Sequence, residues 1–373
     1  LKSKPCRSKL GGMVEIADIK DRDSLKDWLE DRSKEECIQI ATRAALRVLP
    51  LFWEWSLTEP AKTHDLATLA ALRCFSISRI TGQYSIREIA FPAADAFFAA
   101  AARSPAAAAA KSAADAVLAR AAFPAARAAA AADKAARPIA AIFEFVRSDC
   151  LALTQTETKL ASLPLWHDAE NPLQCVWREV KKGASEQPEI WAYWIQWYED
   201  ILAGNTANWP LEQKIARIDS KVWDLGPVAV SEEIRRLQEQ IDLLNEARAM
   251  REENERPKYS FADAKTRSHN MPPGLVDAPK PMRREIIFIW EQIEDAETEL
   301  VKSKPDMRRL RMIGLAIRQS FSALTQYASK ILDQAIVAGA KAIGAGGGTL
   351  ALDHFLNNRR LLAWVERLLQ FAS

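Results

Sequence analysis

Trp191-Ala192-Tyr193-Trp194-Ile195-Gln196-Trp197-Tyr198-Glu199-Asp200 decides how the chain is read. Trp191, Trp194, Trp197 and Tyr198 recur at three- and four-residue steps, which is the spacing of one face of an α-helix. Gly204 stands where such a helix would end on a left-handed cap. Around this stretch, residues 163–230 hold seven of the chain's twelve tryptophans: Trp166, Trp177, Trp191, Trp194, Trp197, Trp209 and Trp223. Each is a large apolar side chain with one N–H to satisfy, so their density marks either the tightest part of a core or an aromatic recognition surface. Helical spacing favours the core.

Working outward toward the C-terminus, Asn208 is placed to cap a helix with Pro210 in its first turn. Leu211, Ile215, Ile218, Val222 and Leu225 then form an apolar seam expected to run along one continuous helix and pack on the tryptophan helix. Ser231 is expected to start the next helix, on which Ile234, Leu237, Ile241 and Leu244 repeat in heptad fashion for too short a distance to argue a coiled coil. Residues 256–282 contain Pro257, Pro272, Pro273, Pro279 and Pro281 and read as an exposed linker. Beyond it, residues 283–373 form a separate helical module. An acidic helix from Arg284 to Lys302 precedes a basic one opened by Pro305 with Arg308, Arg309 and Arg311, a charge order that favours an antiparallel hairpin. The second helix runs into glycines from Gly339 onward, and a last helix from about Asp353 carries Phe355, Leu361, Leu362, Val365, Leu368 and Leu369 on one side.

Toward the N-terminus, Ser24 is read as a helix cap, and Ser33 with Glu36 has the spacing of a capping box. Cys37, Ile40, Ala41, Ala44, Ala45 and Val48 follow on one face. A further helix is expected over 65–78, ending near Gly82. From Ala93 to Ala141, 29 of 49 residues are alanine, the best helix former. Phe91-Pro92-Ala93-Ala94 recurs as Phe123-Pro124-Ala125-Ala126, which suggests a helical-hairpin repeat. The alternative is a bundle whose helices approach closely because alanine is thin. The fold class is therefore all-α: a multi-helix bundle or helical-hairpin array over 13–255, with a smaller C-terminal helical module.

The formal net charge of +2, from 51 basic and 49 acidic residues, argues against a dedicated nucleic-acid binder. Five scattered cysteines without a CxxC pair read as reduced thiols of a cytoplasmic protein. Residues 1–12 lack the apolar segment of a signal peptide and read as a disordered or non-native leader ahead of Met13. Charges interrupt every stretch long enough to span a bilayer.

The chain has no phosphate-binding GxxxxGK[ST] loop, no GxGxxG after a strand, no HExxH and no GxSxG. Its four histidines are widely separated, and neither a metal site nor a cofactor is expected. Glu199 and Asp200 are the carboxylates best placed for acid–base work if burial beside tryptophan raises them. Their plainer role is to accept hydrogen bonds from indole N–H groups. Trp191, Trp194, Trp197 and Tyr198 join them as interaction or pocket candidates. Gly339, Ala340, Gly344 and Gly348 bring small residues together at the spacing used by closely packed helices, in membranes or between copies of one chain. Residues 305–373 carry nine basic against four acidic residues, a balance that suits peripheral contact with an anionic membrane. The expected function is a non-enzymatic interaction or regulatory protein whose C-terminal helices bind a protein partner or self-associate. The alternatives are a membrane-acting effector using the glycine segment, and an enzyme with a tryptophan-lined pocket near Glu199.

Leu163-Pro164-Leu165-Trp166, the WxxWYED of Trp194 to Asp200 with Leu202 and Gly204, and RAALRVLPL at 43–51 together resemble a group of uncharacterised bacterial helical proteins. These share an alanine-rich middle and a tryptophan-rich stretch in this order. The resemblance covers Met13 to Ile234 and implies a helical fold, but no activity and no site residues.

Overall fold

The first two helices each start on a side chain that accepts from a free backbone N–H group. Asp21 accepts from the Ser24 N–H while the Ser24 hydroxyl turns back to the Asp21 backbone, so Asp21 is the cap of α1 (Arg22–Leu29) and Ser24 its reciprocal partner, not the cap itself. Ser33 and Glu36 close the expected capping box of α2 (Lys34–Arg47). The computed structural model describes residues 15–56, 68–84, 105–118, 122–137, 139–155, 160–255, 280–337 and 359–373. Among these residues there are fifteen α-helices, two short 3-10 turns and no strand, so the protein is all-α. The proposed first copy of the hairpin repeat, residues 91–104, and the glycine segment with Gly339, Ala340, Gly344 and Gly348 lie outside the described residues.

The chain divides into two compact units, residues 1–234 and 235–373. In the first, α2 packs against α4 (Thr68–Gln83), α5 (Pro105–Leu118), α6 (Ala122–Ala136) and α7 (Ile142–Thr154). Alanine explains how so many helices share one neighbour. Ala41, Ala44 and Ala45 on α2, Ala109 and Ala113 on α5 and Ala125, Ala129 and Ala132 on α6 are all fully buried, so the contact surfaces carry little side-chain bulk. Pro50 lies in α3 (Leu49–Ser56), whose start immediately after Val48 redirects the chain out of α2.

The tryptophan stretch forms α9 (Pro188–Ala203), with Pro188 in its first turn and Gly204 in the left-handed conformation at its end. Before it comes α8 (Gln174–Ala184). The expected seam after it is broken in two. Leu211, Ile215 and Ile218 are buried, but α10 (Trp209–Ala216) stops, Asp219 caps a separate α11 (Ser220–Asp224), and Leu225 is 77% exposed. A competing cap interrupts a periodicity that would otherwise continue the helix. The next helix, α12 (Pro227–Glu255), begins at Pro227, one turn before the expected Ser231, whose hydroxyl instead donates to the Val228 carbonyl. The division between the two units falls within α12.

The second unit comprises the body of α12 with α13 (Lys280–Leu300), α14 (Met307–Val337) and α15 (Arg359–Phe371). Ile289, Ile293, Leu310, Leu324, Trp364 and Leu368 make its core. The Trp364 indole donates to the Leu243 carbonyl at 2.9 Å, and the Gln240 amide reaches the Leu300 and Lys302 carbonyls at the end of α13. Asp306, one residue after Pro305, caps α14. Arg309 on α14 faces Asp295 and Glu299 on α13, the charge complementarity expected of the hairpin. On α15, Arg367 bridges Glu239 and Glu246 of α12. No helix among the described residues is long and apolar enough to cross a membrane.

Candidate functional site

Three separated stretches of sequence converge on one buried node in the first unit. Arg43 and Arg47, one turn apart on α2, point at Asp149 on α7. Arg47 meets it with two hydrogen bonds of 2.7 and 3.0 Å, and Arg43 adds a third at 2.9 Å. The remaining guanidinium donors turn to the backbone of the 160–165 segment. Arg43 donates to the carbonyls of Leu160, Leu163, Pro164 and Leu165, and Arg47 donates twice to Leu165. An irregular segment buried against a helix bundle leaves carbonyls without partners unless side chains supply them, and the fork of an arginine does this for several at once.

The tryptophan helix joins the same node from its far side. The Tyr198 hydroxyl donates to the Leu46 carbonyl at 3.0 Å, and the Leu165 N–H donates to the Leu202 carbonyl. Gly204 lies so close to Pro164 that an added Cβ would stand 2.5 Å from the Pro164 nitrogen. Burial alone would raise the Asp149 carboxyl, but Arg43 and Arg47 outweigh it and hold the group well below the ordinary carboxylate range. His167 closes the cluster, its Nε2 lying 2.9 Å from Asp149 Oδ1 with the side chain 21% exposed. It adopts a left-handed φ of 51° in the turn after Trp166, a conformation unusual outside glycine.

The residues singled out in the tryptophan stretch separate into core and rim. Trp194, Trp197 and Tyr198 are buried. Trp194 packs edge-on against Trp197 at 5.6 Å, and Tyr198 packs against Trp177 at 4.6 Å. Trp191 is half-buried against Trp53 at 5.5 Å. These are the offset and edge-to-face arrangements of packed aromatic cores. Glu199 accepts from the Trp177 indole at 2.8 Å and from Lys181 at 2.7 Å, while Asp200 accepts from Gln196 and Asn205 at the helix end. Both acids are thus engaged as acceptors, and Glu199 has the indole partner that the plainer reading gives it.

A second buried ion pair lies nearby. Arg79 on α4 donates through Nε to Glu212 on α10 at 2.9 Å and stacks over Trp209 at 4.9 Å. Burial raises the Glu212 carboxyl, with Arg79 pulling the other way. Of the thiols, burial lifts Cys37 to about 11 and Cys74 to about 12, the opposite of the depressed value an activated nucleophile needs. Among the described residues no three His, Cys, Asp or Glu side chains are gathered as a metal would require.

Sequence reasoning did not anticipate the Arg43–Arg47–Asp149 node. Its signal was two arginines at i and i+4 inside an otherwise apolar run, where unpaired charge is not tolerated.

In the second unit, the outward side of α14 presents Arg308, Arg311, Met312, Leu315 and Arg318, all exposed. Met312 is 68% and Leu315 49% exposed, and none of the three arginines makes an ion pair among the described residues. Comparison with known proteins finds no matching family model, no matching curated protein and no matching solved structure.

Proposed function

We propose that this is a non-enzymatic helical interaction protein, with the outward side of α14 docking an acidic, amphipathic segment of a partner protein. The observation that carries this reading is the pairing of two exposed apolar side chains, Met312 and Leu315, with three exposed arginines free of ion pairs among the described residues. Apolar groups ringed by arginine suit a helix whose own apolar face is bordered by carboxylates. Two copies meeting through this side would oppose arginine to arginine, so charge favours a different, acidic partner over self-association. The first unit, held together by its buried ion pairs, serves in this reading as the rigid support.

Peripheral contact with an anionic membrane is the second reading, favoured by the same arginines. It is the weaker one, because among the described residues Gln319, Ser322 and Gln326 continue the exposed side beside Met312 and Leu315 as polar residues, which lipid does not favour. Flotation of the full chain with anionic vesicles separates the two. A protein-docking role predicts that the chain stays in the dense fraction. It also predicts a co-purifying protein that is recovered with the wild type and lost when Arg311 and Arg318 are both changed to Glu. Flotation with the vesicles, or a co-purifying set unchanged by that double substitution, would overturn it.

A further inference from the structure

The outward side of α13 carries the charge opposite to that of α14. Phe288 is 37% exposed, and Glu291 and Glu294, three and six residues further on, are exposed and make no ion pair among the described residues. An exposed apolar group bordered by unpaired carboxylates on a helix is the chemistry that suits Met312, Leu315 and the arginines of α14. Within one copy the two outward sides cannot meet, because α13 and α14 already pack against each other through other sides, as the contacts of Arg309 with Asp295 and Glu299 show. A second copy can bring them together.

The ion pairs across the hairpin fix which residues stand level. Stepping back along α13 and forward along α14 from the Arg309 contacts, Glu294 comes level with Arg311 and Met312, Glu291 with Leu315, and Phe288 with Arg318. A two-fold axis running along the hairpin between its helices lays α13 of each copy over α14 of the other and keeps those levels. Glu291 and Glu294 of one copy then fall within side-chain reach of Arg311 and Arg318 of the other, and Phe288 meets the turn that holds Leu315. Symmetry forms every one of these contacts twice. Arg284, a base exposed on the same side of α13, comes level with the uncharged Ser322. The other face-to-face arrangements set arginine against arginine or carboxylate against carboxylate.

We infer that the outward surface of the α13–α14 hairpin is self-complementary and docks a second copy of this chain, α13 on α14 in both directions. The inference rests on the reading of α14 as a docking surface and adds its regulation. The second copy and the acidic partner use the same arginines, so they compete, and partner binding dissociates the dimer. Each half of the contact has few apolar groups and several exposed charges, so the association is mainly electrostatic and is weakened by salt.

The test is sedimentation velocity of the full chain over a concentration series, for the wild type and two charge-reversed variants, Arg311→Glu with Arg318→Glu and Glu291→Lys with Glu294→Lys. All four positions are exposed, so both variants should melt with the wild type. The wild type should dimerise, with a dissociation constant that rises at least about tenfold when salt is raised from about 0.05 M to about 0.5 M. Each variant alone sets like charges against each other and should need at least about tenfold more protein to dimerise. An equimolar mixture of the two restores opposite charges in both directions and should recover the dimer. Should a double variant fail to fold, Arg311→Glu and Glu291→Lys alone carry the comparison. A wild type that stays monomeric up to about 0.2 mM, a dimer that survives either reversal, or a mixture that does not dimerise would overturn the inference. The docking reading of α14 fails separately, since capture of its partner should be lost with Arg311→Glu, Arg318→Glu and kept with Glu291→Lys, Glu294→Lys.

Discussion

Arg47 and Asp149 form a bidentate pair in which neither side chain has any exposure, the arginine lying 102 residues before its partner in sequence. The pair ties α2 to α7 and, through the remaining arginine donors, fixes the 160–165 segment on which the tryptophan helix rests. Taking one charge out of such a pair leaves the others buried and uncompensated. Asp149→Asn is therefore expected to lower the stability of the first unit by about 3–5 kcal/mol, measured by urea unfolding at neutral pH. A loss below 1 kcal/mol would show that the node does not carry this load.

The same pair sets a pH dependence whose sign follows from its direction. Asp149 is held below its ordinary value in the folded state, so its contribution is complete above about pH 5 and drains away as pH falls through the unfolded-state carboxylate range toward the folded value. Glu212 is raised, so its contribution is present at low pH and fades as pH rises through its folded value. Unfolding free energies measured from pH 3 to 7 should fall steeply toward acid in the wild type. They should fall less steeply in Asp149→Asn, and the Glu212→Gln variant should retain the acid fall. Parallel profiles for the wild type and Asp149→Asn would contradict the assignment.

Two left-handed glycines make a paired test. Gly204 has φ +70° and its added Cβ would meet the Pro164 nitrogen at 2.5 Å, whereas Gly226 has φ +95° with open space around it. Gly226→Ala should cost about 1–2 kcal/mol from backbone strain alone. Gly204→Ala should cost clearly more, because the clash is with backbone that cannot swing aside. Equal losses by thermal unfolding would mean that the approach of Gly204 to Pro164 is not tight.

The helices of this fold were legible in the sequence because local signals agreed: Ser33 with Glu36, Asn208 with Pro210, and Gly204 each stand where the structure uses them. The seam from Leu211 to Leu225 misled because Asp219 caps a new helix in the middle of a matching periodicity, and periodicity does not register a cap. The burial of Trp194, Trp197 and Tyr198 was likewise readable from their spacing. The ion-pair node was not, since two arginines in an apolar run signal only that a partner is needed, and the carboxylate that meets them lies more than a hundred positions away.

In the second unit, Trp364 combines full burial with a hydrogen bond to the Leu243 carbonyl. Trp364→Phe should cost about 1–2 kcal/mol, and Trp364→Ala about 3–5 kcal/mol through the cavity it leaves. Hydrogen exchange should show the loss in α13 to α15 with protection of α2 and α9 retained. Uniform loss across both units would show that they unfold as one.

The outward side of α14 is tested most directly by affinity purification from native cells of the wild type beside a Met312→Asp, Leu315→Asp double variant. Both residues are exposed, so the variant should melt within about 0.5 kcal/mol of the wild type. The account predicts a specific acidic partner protein that is retained by the wild type, reconstitutes binding when purified, and binds the variant at least about thirtyfold more weakly. Equal binding of that partner to both proteins would contradict the assignment of this side of α14 as the docking surface.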